Sequence, residues 1–324
     1  MVREKFFHRD VISMNDFSRE EIDFILNYAK EIKDNPSKFS DSMKGKIMSP
    51  LFFENSTRTS TSFQMSMLHM GGNVMDFDVS TSSVKKGETL VDTLMMIKGY
   101  SPDVVILRHF NGGAARLAAD VLECPLINAG DGQNQHPTQT MLDLFTIKEI
   151  RGEIEGLKIA MVGDLKYGRT VHSLCLALSK YKKCKIYFVS PETLKIPNSI
   201  LENLKKNEVE FCQDNLSELS DILKLVDIVY MTRIQRERFP LGREGEQDYE
   251  KIKQEYRLDK KMLSNVNPNL KIMHPLPKVF EIDSEIDSTP FAYYFKQAEN
   301  GLYVRKALLD LVLNKKNIEN EKRE

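Results

Sequence analysis

Apolar residues along this chain recur with two periods. Behind Ser18-Arg19-Glu20-Glu21, which has the form of a capping box, Ile22, Ile25, Leu26 and Ala29 fall on one face of a helix. Further on, short and nearly continuous apolar runs predict strands at Ile47 to Phe53, Val74 to Phe77, Val104 to Leu107 and Leu126 to Asn128. Helical patterns around Phe63, Leu94 and Leu117 separate them. Strand and helix in alternation imply a parallel sheet with helices on its faces.

A second series follows Gly152 and Gly156, with strands expected at Lys158 to Val162, Lys185 to Val189, Val209 to Phe211, Ile228 to Met231 and Leu270 to Met273. Between the two series, Met141, Leu142, Phe145 and Ile150 lie at helical spacing, so Pro137 to Ile150 reads as a connecting helix. The expected organisation is α/β: two similar domains, residues 1–150 and 151–289, each a parallel sheet flanked by helices. A C-terminal helix at about 290–313 is expected to pack back on the first domain, ahead of a charged tail. The Gly- and Pro-containing stretch Phe239 to Asp248 reads as a mobile loop.

A length of 324 residues suits two cores of about 150 residues each. With 46 Lys and Arg against 47 Asp and Glu, net charge is -1, and no global field draws nucleic acid or an anionic membrane surface. No apolar run approaches the roughly 18 residues of a membrane span, and residues 1–10 lack the apolar centre of a signal peptide, so a soluble cytoplasmic protein is expected. Cys124, Cys175, Cys184 and Cys212 form no C-x-x-C pair and the histidines no H-x-x-x-H spacing. The expectation is reduced thiols and neither metal nor cofactor.

The candidate chemistry sits where strands end. Leu51-Phe52-Phe53 runs into Glu54-Asn55-Ser56-Thr57-Arg58-Thr59, ahead of a helical pattern. Ser56 to Thr59 therefore sit at a helix N-terminus, where N–H groups, hydroxyls and a guanidinium suit a phosphate dianion. Taken alone, S-T-R-T better fits an ordinary cap beside a solvated arginine. After the fourth strand, Asn128 to Gln139 places His136 in a polar turn, where an imidazole N–H can meet a carbonyl oxygen gaining negative charge; Arg108 ends the neighbouring strand. Ser82 to Glu88 brings Lys85 and Lys86 into a Ser/Thr-rich loop that binds phosphate or keeps itself soluble, and taken alone it reads as the second. In the second series, Gly163 to Thr170 resembles a phosphate-binding loop with Arg169 where lysine is expected, and arginine's planar fork suits a carboxylate. A second arginine cluster, Arg233 to Arg238, follows the strand Ile228 to Met231, and two forks suit a dicarboxylate. A phosphate site, a carboxylate site and a polarising histidine imply group transfer between two substrates.

In their order, F-F-E-N-S-T-R-T, S-S-V-K-K-G-E-T, L-R-H, N-A-G-D-G-Q-N-Q-H-P-T-Q, G-D-L-K-Y-G-R-T-V-H-S, Y-M-T-R-I-Q and H-P-L-P resemble the aspartate carbamoyltransferases of the transcarbamylase family, from about Phe6 to Leu313. The resemblance implies carbamoyl transfer from carbamoyl phosphate to L-aspartate, an early committed step of de novo pyrimidine biosynthesis. It implies that Ser56, Thr57, Arg58 and Thr59 hold phosphate, that Thr59, Arg108 and His136 polarise the carbamoyl carbonyl, and that Gln139 binds the same end. Arg169, Arg233 and Gln235 would hold aspartate, with the main-chain carbonyls of Pro275 and Leu276 on the amino groups. Ser82 and Lys86 match residues given to a neighbouring subunit's site, Lys86 also reaching aspartate, which implies a homotrimer with shared sites. The family also admits a separate zinc-binding regulatory chain. Asn55 stands where aspartate members commonly have proline, and Lys278 where they commonly have arginine.

Two rivals are disfavoured. Ornithine members carry H-C-L-P and an S-M-G-type motif, whereas this chain has His274-Pro275-Leu276-Pro277 and Arg233-Ile234-Gln235. A P-loop kinase or NTPase would need lysine at Arg169 and an aspartate closing a strand, whereas Asp227 precedes its strand.

Overall fold

The structure, a computed structural model, describes residues 2–214, 219–234, 236, 246, 249–253 and 256–315. Gln235, Arg238 and nearly all of Phe239 to Asp248 therefore lie outside the described residues. The chain forms two compact units: Met1–Phe145 together with the chain from Glu299 on, and Thr146–Ala298.

The first unit opens with helix α1 (Arg19–Asp34), whose capping box forms as the sequence predicts: Ser18 Oγ accepts the Glu21 N–H and the Glu21 carboxylate accepts the Ser18 N–H. Then come β1 (Ile47–Phe52), α2 (Thr57–His69), β2 (Asn73–Val74), α3 (Leu90–Gly99), β3 (Val104–His109), α4 (Ala114–Val121) and β4 (Leu126–Asp131). The four strands form a parallel sheet in the order β2-β1-β3-β4. Val104 to Leu107 are all buried, as in a strand covered on both faces, and α3 and α4 pack Leu94, Ile97, Ala115 and Ala118 against it. The strand expected over Val74 to Phe77 pairs only at Asn73–Val74; the Met75 N–H still reaches Met48 O at 2.8 Å, after which exposed Asp76 and Asp78 carry the edge away from the ladder.

Helix α5 (Pro137–Arg151) runs from the first unit into the second. There follow β5 (Lys158–Val162), α6 (Arg169–Leu178), β6 (Lys185–Val189), α7 (Asn198–Lys206), β7 (Glu210–Asp214), the one-turn α8 (Leu219–Ile222), β8 (Ile228–Met231) and β9 (Lys271–Met273). These strands form a second parallel sheet in the order β7-β6-β5-β8-β9. Its core gathers Val162, Val189, Leu223, Val229 and Ile272. Helix α9 (Tyr294–Leu313) ends the described fold.

Each sheet has one place where consecutive strands leave in opposite directions. In the first, β2 lies on one side of β1 and β3 on the other; in the second, β6 and β8 flank β5 in the same way. At such switch points the connections part and leave a crevice beyond the carboxyl ends of the strands.

Candidate active site

In the first unit the switch point lies between β1 and β3, and the loop after β1 leads directly into α2. Phe52 pairs with Arg108, so the start of α2 and the Arg108 side chain stand at the same strand-end edge. The starts of α1 and α3 are closed by side chains: Ser18 closes α1, and Thr89 Oγ1 accepts the Asp92 N–H at 3.2 Å on α3. On α2, Ser56 occupies the cap position and makes no side-chain cap bond. Thr57 and Arg58 are exposed and Thr59 is buried. The positive end of the helix dipole, its uncapped N–H groups and these hydroxyls thus offer an anion site. Arg108 faces Glu54 at 3.2 Å and donates to Ala129 O at 3.4 Å, which spreads its guanidinium between the ends of β1 and β4.

His136 is delivered to this edge by Asp131. The carboxylate of Asp131, 1% exposed, accepts from Asn128 Nδ2 and the Gln135 N–H on one oxygen, and from the Gly113 N–H and Asn134 Nδ2 on the other, at 2.8 to 3.1 Å. Asn128 is fixed in turn by Ile12 O and the Gly130 N–H. At Gly132, φ +52°, a Cβ would stand 2.7 Å from Gly112 N, so the turn admits only glycine. The loop ends where His136 O accepts the Gln139 and Thr140 N–H groups, with Pro137 opening α5. One turn into the helix, Gln139 Nε2 donates to buried Asp143 at 2.9 Å, which uses one of its two amide N–H groups. Ser82 and Lys86 lie on the loop ahead of α3. Ser82 Oγ accepts the Val84 N–H and donates to Val79 O within that loop, and Lys86 is exposed.

In the second unit the switch point lies between β5 and β8, and Val162 pairs with Met231, so the segments after both strands leave from one level. Arg169 is the first residue of α6, whose cap position is Gly168 with no side chain to spend on the helix N–H groups. Gly163, φ +110°, lies against Thr232: a Cβ there would stand 2.6 Å from Thr232 Oγ1, which itself donates to Val162 O at 2.9 Å. Half-buried Arg233 is thereby held beside the loop that carries half-buried Arg169. Tyr230 pairs with Met273, so the segment His274 to Pro277 leaves β9 at the same edge. This structure brings Arg169, Arg233, Pro275 and Leu276 to the ends of adjacent strands; Gln235 lies outside the described residues.

Two family models match the chain: "Aspartate/ornithine carbamoyltransferase, carbamoyl-P binding domain" over residues 9–149, and "Aspartate/ornithine carbamoyltransferase, Asp/Orn binding domain" over residues 155–312. The chain belongs to the aspartate/ornithine carbamoyltransferase family. It is 50% identical to an aspartate carbamoyltransferase catalytic subunit of Thermococcus onnurineus, across 94% of this chain and 97% of that one. Among solved structures, the catalytic subunit of M. jannaschii aspartate transcarbamoylase is similar with a TM-score of 0.85 and 45% identity, covering 98% of this chain and 100% of that one. A Trypanosoma cruzi aspartate transcarbamoylase in complex with carbamoyl phosphate and aspartate is similar with a TM-score of 0.88 and 33% identity, covering 95% of this chain and 96% of that one.

Against that family background, the phosphate-binding-loop rival fails on geometry. Asp227 stands at the amino end of β8, where it accepts the Lys158 N–H at 2.9 Å and pairs with Arg151 at 3.1 Å, at the edge opposite Arg233. Its role is to tie strand starts together. Glu54 and Asp131 carry structure at the strand ends and were given no role from sequence; the Asp-Gly turn signal at 131–132 was the readable hint for the second. Among the described residues no group of three or more His, Cys, Asp or Glu is placed to hold a metal ion, and no helix is long and apolar enough to cross a membrane.

Proposed function

We infer that the chain transfers the carbamoyl group of carbamoyl phosphate to the amino group of L-aspartate, giving N-carbamoyl-L-aspartate and phosphate. The observation that carries this reading is 47–50% identity along 94–95% of the chain with aspartate carbamoyltransferase catalytic subunits. The placement of Arg169 and Arg233 at adjacent strand ends supports aspartate over ornithine, because a second carboxylate needs a second guanidinium fork. Ser56, Thr57, Arg58 and Thr59 hold the phosphate; Thr59, Arg108 and His136 face the carbamoyl oxygen; Gln139 helps to bind the same end; Arg169, Arg233 and Gln235 hold aspartate, and the main-chain carbonyls of Pro275 and Leu276 meet the amino groups. Residues 1–150 thus form the carbamoyl phosphate domain and 151–289 the aspartate domain. The unprotonated amine attacks the carbamoyl carbon, the oxyanion is met by donors already in place, and phosphate departs with the amine's proton. Positioning and oxyanion stabilisation supply the rate, and no covalent enzyme intermediate forms.

The chain acts in the cytoplasm as a homotrimer, with Ser82 and Lys86 of each copy completing a neighbour's site. In support, Val91, Met95, Phe110 and Leu117 are exposed, and Phe110 and Leu117 line a cavity of about 560 Å³ with Phe53, Val84, Leu90 and His109. Apolar surface of this kind suits burial against a second copy. Light scattering tests the assembly: three chains per particle are expected, and a monomer refutes it. N-(phosphonacetyl)-L-aspartic acid, present in another Trypanosoma cruzi complex, joins a phosphonate to a dicarboxylate and tests the two-substrate reading. It should bind this chain at least about 10²-fold more tightly than inorganic phosphate, as mimics of a joined state do. Equal affinity overturns that reading.

A further inference from the structure

The segment after β9 is organised by a buried pair for which the proposed chemistry has no use. His274 is 1% exposed and Glu281 0%. His274 Nδ1 accepts the Leu276 N–H at 2.7 Å, and Nε2 stands 2.8 Å from Glu281 Oε1. A ring nitrogen that accepts from an amide must present its lone pair, so the imidazole proton sits on Nε2 and points at the carboxylate. Glu281 Oε2 accepts the Val279 and Phe280 N–H groups at 3.2 and 3.0 Å, and the His274 main-chain N–H donates to Gln297 Oε1 at 2.8 Å. Residues 274–281 are thereby closed on themselves around two side chains.

The consequence for chemistry lies in the peptide between Pro275 and Leu276. Its N–H and C=O share one plane and, in a trans peptide, point in opposite directions. Tying the Leu276 N–H to a buried ring therefore aims the Pro275 carbonyl away from the buried cluster. Leu276 also takes φ +56°, a left-handed conformation that a leucine disfavours and that the bond to His274 holds in place.

We propose that His274 and Glu281 are positioning residues that aim the Pro275 carbonyl at the carbamoyl amino group and so select a substrate bearing an N–H donor at that place. The proposal rests on the reading above that this carbonyl meets an amino group. Acetyl phosphate, with a methyl where carbamoyl phosphate has its amine, separates the two ideas.

Dissociation constants for carbamoyl phosphate, acetyl phosphate and inorganic phosphate are measured on the full chain and on His274→Gln, His274→Asn and Glu281→Gln. The wild type should prefer carbamoyl over acetyl phosphate by about five- to tenfold, the worth of one hydrogen bond. His274→Gln, which keeps a donor for Glu281 but no acceptor for Leu276, should lose that preference while binding inorganic phosphate unchanged. Glu281→Gln should lose much of it, because one amide oxygen cannot serve both the ring and the main-chain donors. His274→Asn, whose Oδ1 can replace Nδ1, should keep most of it. A general loss of structure would instead weaken all three ligands together. If the wild type prefers carbamoyl phosphate and every variant does so equally, the proposal is overturned and the reading of the carbonyl stands. No preference in the wild type overturns both. Should the variants fold poorly, 15N NMR of histidine-labelled wild type decides: a His274 ring with its lone pair on Nδ1 and its proton on Nε2 supports the proposal, and the reverse tautomer overturns it.

Discussion

Replacing Asp131 by alanine should cost both stability and turnover, by amounts that the geometry sets. The carboxylate accepts four hydrogen bonds, but Gly113 and Asn134 are exposed and water can serve their donors once the side chain is gone. The Asn128 amide, 0% exposed, and the Gln135 N–H, at a residue 6% exposed, have no such recourse. Each buried donor left without an acceptor costs about 1–3 kcal/mol, so the pair should cost about 4 kcal/mol. For a unit of this size that is a fall of roughly 8–16 °C in the unfolding midpoint. The same loop carries His136 to the end of β3, and a shift of about 1 Å there should lower kcat by on the order of 10². The affinity for inorganic phosphate, bound at α2, should change little. Urea unfolding and initial-rate measurements on the purified variant check both figures. A cost below about 1 kcal/mol with kcat unchanged would show that the loop holds its shape without Asp131.

Three other outcomes are expected. His136→Ala should lower kcat by roughly 10² to 10³, as loss of an oxyanion donor does; unchanged turnover removes His136 from the mechanism. Arg169→Lys keeps the charge and loses the fork, so KM for aspartate should rise on the order of tenfold or more while KM for carbamoyl phosphate stays constant; equal rises in both would place Arg169 elsewhere. Burial pushes the Glu281 carboxyl up, but hydrogen bonds from His274 and from main-chain N–H groups outweigh it and leave the group below its ordinary value of 4.5. A group depressed in the folded state contributes stability above its unfolded pKa and loses it as pH falls through the folded one. The unfolding midpoint should thus decline as pH drops below 4.5, and Glu281→Gln should flatten that decline; parallel curves would contradict the assignment.

What the sequence revealed and what it hid have physical causes. Helix α1 was legible because its cap and its apolar stripe are local, and β5, β6 and β8 because strands covered on both faces are nearly continuous apolar runs, here after a leading lysine in β5 and β6. The start of α2 was legible from hydroxyls placed between an apolar strand and a helical period. The strands β3 and β4 run on to His109 and Asp131, past the expected ends, because Arg108, His109, Gly130 and Asp131 break the apolar run and serve the loops rather than the core. Glu54, Asp131 and Glu281 escaped notice because a carboxylate's role lies in which distant N–H groups reach it, and no spacing in sequence encodes that.

Carbamoyl transfer to aspartate is measured most directly by product formation. Purified chain is incubated with carbamoyl phosphate and L-aspartate beside reactions containing ornithine or no amine. N-carbamoyl-L-aspartate and phosphate appearing in equal amounts, with neither citrulline nor amine-independent phosphate, is the predicted result. Phosphate without carbamoyl aspartate, or citrulline from ornithine, would contradict it.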